Sequence, residues 1–149
     1  MRAWTGARSR GQPAVRALTV RQPWAWAIIY GGKDVENRRR RTLYRGPLLI
    51  HASKNADPVP EASARLLRTM ADPGAFGRPR AAWRAREAII GVVFLIDVLT
   101  DSASPWAVAG RYHWVFEFPA PVDPLIPCRG RPGLWVPPAA AAGRLTGLV

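Results

Sequence analysis

The segment Ala88–Leu99 carries apolar residues at nearly every position, with Ile90, Val92, Phe94 and Ile96 on one expected face and Ile89, Val93 and Leu95 on the other. A strand that is apolar on both sides is unsuited to a solvated edge and belongs inside a sheet with cover on both faces. One long central strand of this kind, in a chain of 149 residues, predicts a single domain with room for one main core.

The remaining elements are arranged around it. Residues 17–21 alternate Leu18 and Val20 with Thr19 and Arg21, the pattern of a short half-buried strand. Pro23 suits the first turn of a helix over Trp24–Tyr30, in which Trp24, Ala27 and Ile28 lie on one side and Trp26, Ile29 and Tyr30 on the other. Gly31-Gly32 ends it, and residues 33–38 read as extended. A turn at Arg45-Gly46-Pro47 leads to a strand over 48–53, with Leu48, Ile50 and Ala52 opposite Leu49, His51 and Ser53. Helices are expected over 60–71, on the spacing of Ala64, Leu67 and Met70, and over 80–87, with a Gly/Pro loop between them. Residues 111–118 predict a strand with a core stripe of Tyr112, Trp114, Phe116 and Phe118. The proline-rich remainder predicts short edge strands and turns. This order specifies an α+β fold: a small curved sheet that could close into a compact barrel, with flanking helices. The domain is expected over 17–138, preceded by a flexible basic segment, 1–16, and followed by a tail, 139–149.

Twenty arginines and two lysines stand against ten acidic residues, a net charge of +12. An excess of this size points to a polyanionic partner, nucleic acid ahead of a membrane surface. No apolar run approaches the roughly 20 residues of a membrane span, and the basic opening lacks the apolar stretch of a secretory signal. Cys128 stands alone, so no disulfide framework is expected and a reducing, cytoplasmic compartment fits. It has no histidine near it in sequence to activate it as a nucleophile, and with His51 and His113 it gives no metal-ligand spacing. Neither a metal nor a cofactor is expected.

Where arginine is the default cation, a retained lysine marks a place that can use a compact ammonium instead of a planar guanidinium. Lys33 lies within Gly31-Gly32-Lys33-Asp34-Val35-Glu36-Asn37-Arg38, preceded by Leu18-Thr19-Val20-Arg21-Gln22-Pro23-Trp24-Ala25. Together these resemble the signature of the ASCH domain, whose motif Gly-x-Lys-x-x-Glu-x-Arg is met by Gly31, Lys33, Glu36 and Arg38. Tyr44-Arg45-Gly46, Ile50-His51-Ala52, the Trp106 segment and Gly133-Leu134-Trp135 are similar to later parts of the family, so the likeness spans roughly residues 17–137. The resemblance implies a PUA-like β-barrel with a cleft, a fold associated with RNA. Some members are ribonucleases, and others are amidohydrolases that deacylate modified cytidine. Glu36 stands where the amidohydrolase-type members carry threonine, and the basic run 38–41 leans toward phosphate binding.

The site residues follow from both readings. Lys33 and Glu36 are three apart, so on a flat strand they would face opposite ways; sharing a cleft requires a bend or bulge. If they meet, Glu36 would hold Lys33 as an anion receptor, act as general base toward a water, or brace the barrel mouth as a structural ion pair. They are the candidate catalytic pair. Arg38 has the fork geometry for phosphate. Trp24 and Trp26 cannot both face the core, and the exposed one could stack a base. Gln22 could read a base edge or merely end the strand, and His51 could line the cleft or be a hydrogen-bonded structural histidine. Asn37, Arg45, Ser53 and Lys54 complete the expected nucleic-acid surface, with RNA or single strands preferred over duplex. The alternative is a metal-independent hydrolase of RNA or of a modified nucleoside.

Overall fold

A computed structural model describes residues 15–58 and 80–144. Six strands form one mixed sheet: β1 (Arg16–Gln22), β2 (Val35–Arg38), β3 (Gly46–Ala56), β4 (Ala88–Leu99), β5 (Tyr112–Pro127) and β6 (Leu134–Trp135), in the order β2-β5-β4-β3-β1-β6. Only β1 and β3 pair in parallel; the sheet curls into a half-barrel. Among the described residues three short helices accompany it, α1 (Trp24–Tyr30), α2 (Arg80–Arg84) and α3 (Ala139–Gly143). Among the described residues no helix is long and apolar enough to cross a membrane. The segment 1–14, the helix expected over 60–71 and the loop after it lie outside the described residues.

Strand β4 occupies the interior position its composition requires, between β3 and β5. Its two faces belong to two clusters. Ile90, Val93 and Leu95 join Leu18, Leu48, Ile50, Trp114 and the α1 residues Ala25, Ile28 and Ile29. Ile89 and Val92 join Ala17, Leu49, Val122, Trp135 and Ala141. Simple alternation would put Ile90 with Val92. The register shift of the β3–β4 ladder, where Ile50–Gly91 is followed by His51–Ile89, changes the phase instead, because the extra residue Ile90 turns the next side chain to the other face. Gly91 lets α1 approach closely: a Cβ there would lie 2.5 Å from Ile29 Cδ1 and 2.8 Å from the Ala120 carbonyl oxygen.

The proline-rich segment departs from expectation. Residues 119–127 are no series of turns but the second half of a 16-residue strand, paired to β4 through Val92–Ala120, Gly91–Pro121 and Ala88–Pro127. Strand β2 covers the other edge of β5 only over Tyr112–Val115, so the later prolines sit on a strand with one open edge, where a missing N–H is tolerated. The aromatic stripe divides at the same place. Trp114 and Phe116 are core and Tyr112 packs against them, whereas Phe118 adopts φ +55° and is 49 % exposed. Residues 139–143, expected as tail, form α3 and bury Ala141 in the second cluster.

Candidate functional site

The motif segment leaves α1 through a tight reversal. The Gly31 and Lys33 amides both donate to the Ala27 carbonyl, at 2.9 and 3.0 Å, and Gly32 adopts φ +75°, a conformation glycine accepts without strain. This reversal supplies the bend that the spacing of Lys33 and Glu36 demands. Lys33 lies before the strand begins, and its side chain folds along β2, so Nζ donates to the Val35 carbonyl and lies 3.1 Å from Glu36 Oε1. Glu36 and Arg38, two apart on β2, share a face, with Glu36 Oε2 3.6 Å from the Arg38 guanidinium. Arg38 in turn lies over the Trp114 ring at 5.7 Å. Lys33 is only 4 % exposed.

All three motif side chains line one cavity of about 580 Å³. Trp24 and Trp106 contribute aromatic surface to its wall, and Thr19, Arg21 and Asp57 complete part of the rim. Trp24 is held by its indole N–H, which donates to Asp57 Oδ2 at 3.2 Å, while Asp57 Oδ1 pairs with Arg21 at 3.2 Å. Trp106 arrives on the β4–β5 loop, which Asp34, β2 and β5 fasten at several points. Ser104 Oγ donates to Asp34 at 2.5 Å; Asn37 donates to the Trp106 carbonyl at 3.0 Å and accepts from the Val108 amide at 2.8 Å. His113 Nδ1 accepts from the Ser102 amide at 3.1 Å while Nε2 donates to the Val108 carbonyl at 2.8 Å.

A second cavity, of about 720 Å³, adjoins the first and shares Asn37 and Arg38 with it. Arg38, Arg39, Arg40, Arg41 and Arg111 line it, together with Pro132, Gly133 and Leu134. Among the described residues no carboxylate lines this cavity. Of these arginines only Arg38 has an acidic partner among the described residues. Arg41 rests over the Tyr112 ring at 5.3 Å.

Burial redefines several residues expected at the ligand surface. Trp26, 2 % exposed, stacks with Tyr30 at 5.9 Å and meets Trp83 edge-on at 4.8 Å, so it offers no face to a base; Trp24 is the tryptophan at the cavity. Gln22 is buried too. Its amide donates to the Ala82 and Ala85 carbonyls at 2.8 and 3.2 Å and accepts from the Trp26 amide at 3.0 Å, tying β1 to α1 and α2. His51 is wholly buried between strands: Nε2 donates to the Cys128 carbonyl at 2.7 Å, and Nδ1 accepts from the Thr19 hydroxyl at 3.2 Å. It meets Cys128 through the backbone and not through the thiol, whose pKa is pushed up by burial and then by Glu87. Asn37 lines both cavities, but its amide is committed to the Trp106 loop.

Arg45 turns away, its guanidinium donating to the Thr42 and Tyr44 carbonyls at 2.8 Å, and neither it nor Ser53 nor Lys54 lines either cavity. The neighbouring Tyr44 donates its hydroxyl to the Pro47 carbonyl, and burial pushes its pKa up to about 12. Trp106, Asp57 and Arg111 enter the site from distant segments, and no local pattern announces them; Arg21 lies on β1, within the signature segment 18–25. Trp106 is legible only through its place in the family likeness. Among the described residues no group of three or more His, Cys, Asp and Glu side chains is placed to hold a metal ion.

The curated proteins contain no match to this chain. A family model, that of the ASCH domain, matches residues 18–120, which takes in most of β1, the motif segment, β4 and the Trp106 loop. That match extends over well more than half of the sequence, and the chain belongs to the ASCH domain family.

Proposed function

We propose that this PUA-like domain binds nucleic acid, RNA or another single strand, across the two adjoining cavities. The observation that carries the reading is their complementarity around Arg38. One cavity combines aromatic walls with the Lys33–Glu36 pair, and the other presents arginines with no carboxylate among the described residues. An unpaired base can stack on Trp24 or Trp106, as sequence-tolerant single-strand binders use aromatic platforms. Its phosphates then meet guanidiniums whose planar forks match phosphate oxygens in pairs. Both oxygens of Glu36 are engaged by cations, so it holds Lys33 and Arg38 at the cavity wall. The net charge of +12 attracts any polyanion, and the aromatic cavity adds a preference for unpaired bases over duplex.

Titration of a fluorescently labelled single-stranded RNA at low salt tests this. Dissociation constants well below about 1 µM, weakening steeply as salt is raised, are expected. Affinity no better than micromolar in dilute salt, or indifferent to salt, would overturn the reading.

The Lys33–Glu36 contact on the cavity wall favours a second reading, a metal-independent hydrolase of RNA or of a modified nucleoside. Lys33 would stabilise developing negative charge and Glu36 would move the proton. Turnover on this reading survives EDTA and falls in Lys33→Gln far more than binding does. Turnover abolished by chelator, or unchanged in that variant, rejects it.

A further inference from the structure

We infer that the arginine cavity takes a charge-dense phosphate group, the monoester or polyphosphate end of a nucleotide, and not a lone diester of a passing strand. The inference rests on the nucleic-acid reading above and narrows its ligand.

Charge matching points there first. Five arginines line a space of about 720 Å³, whose cube root, about 9 Å, is room for one or two backbone phosphates. Each such diester carries a single charge. Glu36, 3.6 Å from Arg38, is the sole carboxylate partner that any of the five finds among the described residues. Neighbouring guanidiniums repel one another, and a single diester would leave most of that repulsion uncompensated. A terminal phosphate carries about 1.5 to 2 negative charges near neutral pH and three strong acceptor oxygens, and a polyphosphate carries more. It can engage several forks at once where a diester engages one or two.

Position points the same way. Arg38 and Asn37 belong to both cavities, so a nucleoside seated against Trp24 and Trp106 has its phosphate end beside the arginines. Two of the guanidiniums are also oriented in advance. Arg38 lies over Trp114 and Arg41 over Tyr112, which limits the freedom they lose on meeting a phosphate.

The shared chemistry could come from a strand end or from a free nucleotide, and competition separates them. The intact chain is titrated with one short RNA bearing a 5′-hydroxyl, a 5′-monophosphate or a 5′-triphosphate, labelled at its 3′ end. A 5′-labelled set with and without a 3′-phosphate tests the other end. Free nucleoside mono- and triphosphates serve as competitors. Affinity should rise with the charge of the end group at one of the two ends, by about tenfold or more, the worth of one added charge-assisted contact. That gain should vanish in the double variant Arg40→Ala/Arg111→Ala, whose urea midpoint should match the parent's because both side chains lie outside the core. Displacement by free triphosphate at matched concentration assigns a free nucleotide, and displacement only by the phosphorylated strand assigns a strand end. Either supports the class. Equal binding of all ends, or a gain that persists in the double variant, overturns this inference while leaving strand binding intact. Failure of every strand to bind overturns the nucleic-acid reading itself.

Discussion

The two cavities that meet at Arg38 are built in opposite ways. In the first, polar side chains already have partners inside the protein. Lys33 has Glu36 and the Val35 carbonyl, Trp24 has Asp57, Asp57 has Arg21, and Asn37 holds the loop that carries Trp106. In the second, Arg39, Arg40, Arg41 and Arg111 have no acidic partner among the described residues, and Arg39, Arg40 and Arg41 are exposed. The first is therefore a shape maintained by the fold, and changes to it should reduce stability as well as binding. The second is an electrostatic surface that the fold does not need. The contrast separates residues whose removal unfolds from residues whose removal only weakens a complex.

The strongest test of that separation lies just behind the first cavity. Trp26→Ala should cost roughly 3–5 kcal/mol of unfolding free energy, as truncation of a buried tryptophan does, read from the urea midpoint. A cost below about 1 kcal/mol, or folded protein that binds more weakly in proportion, would return Trp26 to the ligand surface. Glu36→Ala comes next. It strands Lys33 in a nearly closed site, and because the Glu36 carboxylate reaches the cavity the cost should be about 2 kcal/mol, below that of a fully buried pair. A variant as stable as the parent would show the pair to be free of structural duty and would strengthen the hydrolase reading.

Trp24→Ala should cost about 1–3 kcal/mol in single-strand affinity if a base stacks there, with little change in salt dependence. Unchanged affinity would move the stacking platform to Trp106. The smallest effect belongs to Arg45→Ala. Its guanidinium donates to nearby carbonyls and lies outside both cavities, so affinity should shift by less than about 0.5 kcal/mol. A weakening comparable to that of Arg38→Ala would extend the surface beyond the two cavities.

Much of this architecture is legible in local pattern. The bounds of α1 and β4 follow from Pro23, Gly31-Gly32 and the doubly apolar run, because caps and periodicity act over a few neighbouring residues. The meeting of Lys33 with Glu36 and Arg38 can also be anticipated, with the bend it requires. Long-range satisfaction is not legible. Gln22, Trp26 and His51 belong to the family's conspicuous segments, yet their partners come from α2, Trp83 and Cys128, far along the chain. A buried amide and a base-reading amide look alike in sequence, since both are defined by what lies opposite them. The extension of β5 through its prolines is hidden for a related reason, because whether a proline is tolerated depends on whether a neighbouring strand covers that edge.

The central claim, that the exposed arginines form a phosphate-binding surface beside a base-sized cavity, is tested most directly by the salt dependence of single-strand binding. The slope of log affinity against log salt should be compared between the parent and the triple variant Arg39→Ala/Arg40→Ala/Arg41→Ala. If each arginine meets one phosphate, the slope should become shallower by about 2 units, at roughly 0.7 for each single-strand phosphate no longer neutralised, with the urea midpoint unchanged. A triple variant that binds with the parent's slope and affinity would contradict the account.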